Sequence, residues 1–164
     1  MFKKRIAFIF LLSLIFATLA FIFSQSALPP ETSQAESEAV GGIIEEIIPP
    51  DTQAGAYVQK NIRKIAHFTE FALLGTEVAL FVALFMCRPS FVALSYPFAL
   101  IIAFFDESIQ MFSRRGPAIF DVWIDFLGFF TFATIVYAMF FSLKLSLLWF
   151  KKRKKIYNGK NNRG

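Results

Sequence analysis

Residues 63–87 read RKIAHFTEFALLGTEVALFVALFMC, and this stretch decides the fold. From Ile65 to Cys87 it has the length and apolar content of a bilayer-spanning helix, which takes about 20 predominantly apolar residues. Three ionisable residues, His67, Glu70 and Glu77, nevertheless lie inside it. Arg63 or Lys64, His67, Glu70 or Phe71, Leu74 and Glu77 recur at intervals of three and four, which is one stripe of a helix. A charged group at the bilayer centre costs about 2.5–3.5 kcal/mol on insertion scales and less near the interface. The stripe should therefore face other helices and not lipid.

Working outward, three more spans emerge. Ile6 to Phe23 carries no charge and follows Lys3, Lys4 and Arg5. Phe91 to Phe112 contains Pro97 and carries Asp106, Glu107 and Gln110 near its end. Phe120 to Phe141 opens with Asp121 and Asp125. Arg88 to Ser90 leaves room only for a tight turn, so the second and third spans form an antiparallel hairpin. The first span has the basic start of a signal peptide and small residues at Ser24–Ala27, but its apolar run exceeds the usual core of about 7–15 residues. It reads as a retained anchor.

The whole chain agrees with this reading. Of 164 residues, 56% are hydrophobic and 18% charged, with 23 phenylalanines and a mean hydropathy of +0.56. Soluble averages are about 45–50% apolar and 25% charged. Disordered, collagenous and disulfide-framework classes are excluded, and the single Cys87 has no partner in the chain. The expected fold is all-α, an integral membrane bundle of four transmembrane helices with both termini cytoplasmic. Lys/Arg bias supports that orientation. Eleven basic residues fall on the inner side (Lys3, Lys4, Arg5, Arg88 and seven after Phe150), against Lys60, Arg63, Lys64, Arg114 and Arg115 outside. Lys144 can snorkel to the inner boundary. The net charge of +5 is thus an orientation signal that also touches anionic lipid, and no nucleic-acid partner is expected.

The expected organisation is a membrane anchor over 1–23, an extracytoplasmic loop over 24–62, a three-helix core over 63–142 and a basic cytoplasmic tail over 143–164. Within the loop, Ser33-x-x-Glu36 could form a capping box, and Val40, Ile43, Ile44, Ile47 and Ile48 follow a one-face helical spacing. Gly41-Gly42 should interrupt it and Pro49-Pro50 should end it. Two readings stay open: an amphipathic helix on the outer membrane surface, or a linker whose isoleucines pack on the bundle.

On this topology the ionisable residues converge on the outer ends of three helices, apart from the deeper Glu77. Asp106 and Gln110 share a helix row, Glu107 and Gln110 another, and Asp121, Asp125 and Gly128 are spaced four and three. Gly128 permits close helix approach. Arg63 and Lys64 at a helix N-terminus, and Asp106 and Glu107 at a helix C-terminus, each oppose the macrodipole. Antiparallel spans bring the two sets together, so pairing across the hairpin is expected. Asp121 sits where a helix accepts an acid and could serve as a cap.

These residues resemble the VanZ-like membrane protein family. The first signature is Arg63-Lys64-Ile65-Ala66-His67-Phe68-Thr69-Glu70-Phe71, ending at Leu74-Gly75. The second is Asp106-Glu107-x-x-Gln110-x-Phe112, followed by Arg115, Asp121, Asp125 and Gly128, and the Ser24-Gln25 pair also resembles the family. The loop between Gln110 and Arg115 is about one residue short and lacks the usual Pro-Gly, and Phe132 stands where a second glycine is often found. The resemblance implies a bacterial cell-membrane protein of the envelope, with a link to teicoplanin resistance, and supplies no reaction.

Two functions are compatible with the residues. In the first, Arg63, Lys64, His67, Glu70, Asp106, Glu107, Gln110, Arg115, Asp121 and Asp125 form a binding site for an anionic lipid or lipid-linked envelope precursor. Arginine, here including Arg114, can hold phosphate bidentately. His67 and Glu70 are the candidates for proton transfer. No nucleophile is marked, since Ser108 and Ser113 lie in no motif, so enzyme status stays open and no cofactor is named. No metal set is assigned, because the single histidine makes no Cys/His zinc pattern, although Asp106, Asp121, Asp125 and Glu107 could offer oxygens to a hard cation. In the second function, the charges form an inter-helix ion-pair network in a non-catalytic envelope partner. A transporter path through Glu77 and Pro97 is a third, requiring oligomerisation. The oligomeric state itself is not set by the sequence.

Overall fold

The computed structural model describes residues 2–113 and 119–161, with side chains as far as residue 154. Every described element is helical: α1 (Phe2–Ser26), α2 (Pro30–Glu45), α3 (Gln53–Phe81, ending in a π-helical turn Val82–Met86), α4 (Pro89–Phe112) and α5 (Ile119–Asn161). Four helices are long and apolar enough to cross a membrane: Phe2–Ser26, Gln53–Met86, Pro89–Phe112 and Ile119–Lys154. The chain is an all-α, multi-pass membrane protein.

Local chemistry sets the boundaries. Pro30 occupies the first turn of α2 and Glu31 follows it, a position suited to proline's missing N–H and to an acid. Thr52 caps α3, its Oγ1 accepting from the Gly55 N–H at 3.0 Å. At the other end Cys87 adopts a left-handed conformation (φ 47°), and its N–H bonds the Val82 carbonyl at 2.7 Å. Arg88 is then extended (φ −114°, ψ 137°), as a residue before proline must be, and α4 starts at Pro89. The tight turn expected there is present.

The segment between the first two spans differs from expectation. The Ser33-x-x-Glu36 box caps nothing, because α2 begins a turn earlier and the Ser33 N–H already bonds the Pro29 carbonyl. Gly41-Gly42 does not break the helix. Gln59 of α3 donates to the Gly41 carbonyl at 3.2 Å and to Glu45 Oε1 at 2.7 Å, clamping α2 onto α3 across the glycines. Val40, Ile43 and Ile47 remain exposed, and α3 starts at Gln53, well before the span expected from hydropathy. At the far end, residues 143–164 form no separate tail through the described part: α5 runs unbroken to Asn161. Arg153 stacks over the Trp149 ring at 4.2 Å there.

The core sits around α3, of whose apolar window 56% is buried against 11% for α1. It is the central helix, packed chiefly on α5, with α1 and α4 outside that pair. Two glycines set the α3–α5 seam. A Cβ on Gly75 would stand 2.5 Å from the Phe129 carbonyl oxygen, and a Cβ on Gly128 would overlap the Phe68 carbonyl oxygen. Backbone therefore lies directly on backbone, the arrangement small residues allow in membranes. Phe132, one turn after Gly128, packs its ring edge-on to Phe68 at 6.4 Å. Between α4 and α5, Tyr137 donates to Ser95 Oγ at 3.2 Å, and the Tyr96 and Thr134 hydroxyls share a bond of 3.0 Å.

Nineteen residues separate His67 from Met86, and nineteen separate Asp125 from Lys144. Each interval is about 28 Å of helix, close to the roughly 30 Å hydrocarbon thickness. Lys144 Nζ donates to Cys87 Sγ at 3.2 Å, which puts the two lower markers at one level. His67 and Asp125 then mark the opposite boundary, and the first turns of α3 rise about 20 Å past it to meet α2.

Candidate functional site

The seam explains why polar side chains gather at that boundary. Gly128 lies against Phe68, so Asp125, one turn earlier on α5, is delivered beside His67, one residue earlier on α3. Asp125 Oδ1 lies 3.3 Å from His67 Nδ1, and Asp106 Oδ2 from α4 lies 3.8 Å from the same nitrogen. Both aspartates have no exposed surface, and His67 is 8% exposed.

A hydrogen-bonded chain holds Asp106. Gln110, a turn further along α4, donates its amide to Asp106 Oδ2 at 2.9 Å. Arg63 Nη2 donates to Gln110 Oε1, and Ser26 at the end of α1 donates its hydroxyl to Asp106 Oδ1. The polar ends of α3 and α4 do meet across the hairpin, but Arg63 meets the Gln110 amide where Asp106 or Glu107 was expected.

Not every residue singled out in the sequence joins this cluster. Lys64 is exposed and its ammonium lies 5.6 Å from the Phe120 ring centre. Glu107 is buried, Glu70 half-buried, and Asp121 half-buried in the first turn of α5. Arg114 and Arg115 lie outside the described residues. Glu77 is buried in the middle of the bundle and accepts a 2.9 Å bond from Thr18 of α1. Pro97 is exposed on the outside of the bundle, so the two do not line a common path.

Two contributors were missed in the sequence, Ser26 and Thr18. Both lie in α1, Thr18 within the first span and Ser26 just past it in the stretch read as loop, so α1 supplies side chains to the bundle core. A lone hydroxyl in an apolar run carries no mark of its partner. The available signals were the small-residue patch at Ser24–Ala27, which also resembles a cleavage site, and the neighbouring Ser24-Gln25 pair.

Beside the cluster is a cavity of about 220 Å³ between the end of α1, α2 and the N-terminal part of α3. Ser26, Arg63, His67 and Glu70 form its inner wall, and Ser33, Glu36 and Ser37 of α2 form its lid-side wall. The wall is mixed in sign: Glu36 and Glu70 face the same space as Arg63 and His67. A ligand entering it would need both acceptors for Arg63 and donors for the two glutamates. His67 belongs to both the cavity and the buried cluster.

The fold and site define a class: a four-span helical membrane protein with a buried polar cluster at one boundary of the apolar slab. The model of the VanZ/LLP1 family matches residues 6–144, and the chain belongs to that family. The match includes α1, in keeping with the side chains α1 sends into the core. Comparison with curated proteins and with solved structures gives no match.

Proposed function

We propose that this is a bacterial plasma-membrane protein, both termini cytoplasmic, whose cavity takes the headgroup of an anionic lipid or lipid-linked envelope precursor at the outer leaflet. We further propose a link to glycopeptide (teicoplanin) resistance, for which the family resemblance is the sole support. The observation that carries the reading is the position of the cavity. It lies beside His67, at one boundary of the apolar slab, which in the proposed orientation is the outer-leaflet headgroup level. The neighbouring α2 carries exposed Val40, Ile43 and Ile47 that would suit the acyl boundary. Arg63 would hold phosphate, and the glutamates would accept from hydroxyl or amine groups on the same headgroup.

Native mass spectrometry of the purified chain tests this. Wild type should retain phospholipid or an isoprenoid-phosphate adduct, and Arg63→Ala should lose at least tenfold occupancy while still accumulating in the membrane. A well-folded wild type repeatedly free of lipid would refute the reading. Orientation is tested separately: a membrane-impermeant maleimide should label Cys87 only after the cytoplasmic face is opened.

A second reading has its own observation. The chain Arg63–Gln110–Asp106–Ser26 ties α3, α4 and α1 together, as expected of an envelope assembly partner whose charges fix packing. Loss of the folded protein in both His67→Ala and Arg63→Ala would favour it.

A further inference from the structure

The geometry points to a metal site: we propose that His67, Asp106 and Asp125 hold one divalent transition-metal ion of the zinc class. The three residues come from α3, α4 and α5 and are all buried. One ligand atom from each lies within 4.8 Å of the others. For metal–ligand distances of about 2.0–2.1 Å, the edge of a tetrahedral site is about 3.3–3.4 Å. His67 Nδ1 to Asp125 Oδ1 is already 3.3 Å, and the 3.8 Å to Asp106 Oδ2 closes with a small turn of the carboxyl group.

A second observation is independent of the spacing. Asp125 has no exposed surface, and neither of its carboxylate oxygens has a hydrogen-bond partner; His67 Nδ1 has none either. Nδ1 and Oδ1 lie 3.3 Å apart as a close polar pair without meeting hydrogen-bond geometry. Buried polar atoms are ordinarily satisfied, and a buried carboxylate left bare is costly. A dication answers both, since two carboxylates and a neutral imidazole with M²⁺ make a site of zero net charge. Protonated His67 between the same two carboxylates leaves a net −1 in the membrane-embedded core.

The surroundings are those of a supported ligand. Asp106 is held by Ser26 and by Gln110, and Gln110 by Arg63, so the carboxylate is oriented from two other helices, as metal-ligating carboxylates commonly are. Three protein ligands leave a tetrahedral position open, and His67, unlike the two aspartates, also lines the cavity. An imidazole ligand and a small ligand number favour zinc-class ions over calcium, which takes six to eight oxygens.

The proposal requires no lipid, so its test is separate from that of the headgroup reading. Full-length protein without a polyhistidine tag is purified in detergent, loaded with Zn²⁺, desalted and analysed for metal. About one equivalent per chain is expected, falling at least tenfold in His67→Gln and in Asp125→Asn. Should those variants misfold, wild type alone decides. Co²⁺ should give the visible spectrum of a four-coordinate nitrogen–oxygen site without a thiolate band. Zn²⁺ should also protect His67, the one histidine of the chain, from diethylpyrocarbonate. Monodisperse wild type holding less than about a tenth of an equivalent would overturn the site and leave an ion-pair triad only. Unprotected His67, or a Co²⁺ spectrum with sulfur character from Cys87, would overturn it too.

Discussion

The two ends of the bundle are closed by different kinds of contact. At the lower end, Phe8 of α1 packs against Phe81 and Phe85 with ring centres 5.1 and 5.2 Å away, and Lys144 reaches Cys87. At the upper end, Ser26, Arg63, Asp106 and Gln110 meet through directed hydrogen bonds, with the close pair His67 and Asp125 among them and a cavity alongside. Aromatic rings tolerate several geometries within a kcal/mol or so, whereas a hydrogen bond fails when its angle is lost. Lipid tails offer aromatic side chains an environment as apolar as a neighbouring helix. The lower end therefore closes the bundle without specifying it, and the upper end specifies which helix face meets which.

The largest effect should come from the seam that builds the upper end. Gly128→Leu forces a side chain into the Phe68 backbone, where no rotamer relieves the overlap. Overpacking ordinarily costs about 1–3 kcal/mol, and contact with backbone belongs at or above the top of that range. The expected outcome is a severe loss of membrane-accumulated, monodisperse protein, with Gly75→Leu behaving alike. A Gly128→Leu protein that accumulates and melts like wild type would show that α3 and α5 need no backbone contact, and the account of how Asp125 reaches His67 would fail.

Next comes Ser26→Ala, which strips one donor from a fully buried carboxylate. Hydrogen bonds to charged groups are worth about 1.5–3 kcal/mol in soluble proteins, while membrane hydrogen bonds average about 0.6 and reach about 1.7. Asp106 has no exposed surface, so a loss of about 1–2 kcal/mol is expected, read as a lowered unfolding midpoint in detergent. The same variant should loosen whatever the cluster binds, because Asp106 loses the hydroxyl that orients its Oδ1. An unchanged midpoint would demote α1 from a structural member of the site to a plain anchor.

This contrast also explains what could be read from the sequence. Polar residues within apolar spans are conspicuous, so the gathering of His67, Asp106, Gln110 and Asp125 at one boundary was legible from hydropathy and spacing. The choice between Arg63 and Lys64 was not, because neighbours on a helix point about 100° apart and spacing alone does not fix rotation. The structure turns Arg63 inward to Gln110 and leaves Lys64 outside against Phe120. Ser26 stayed hidden because its partner is eighty residues away. Gly41-Gly42 misled because weak local propensity gave way to the Gln59 clamp. The family signature located the residues, but the trio of His67, Asp106 and Asp125 exists only once three helices have docked.

The smallest effect tests the lower end. Phe8→Ala removes one ring from a cluster in which Phe81 and Phe85 still touch at 5.4 Å, and Phe8 itself is 39% exposed. Its two ring contacts would be worth about 0.5–1.5 kcal/mol each if nothing replaced them. Acyl chains do replace them, so the unfolding midpoint should fall by less than it does in Ser26→Ala, by under about 1 kcal/mol. Metal and lipid retention should be unchanged, because about 28 Å of helix and the close-packed seam stand between Phe8 and His67. If Phe8→Ala proved as damaging as Ser26→Ala, the aromatic end would share in specifying the bundle. If it spared stability but emptied the site, the two ends would be coupled through α1, and Thr18, bonded to Glu77 midway along that helix, would be the place to cut next.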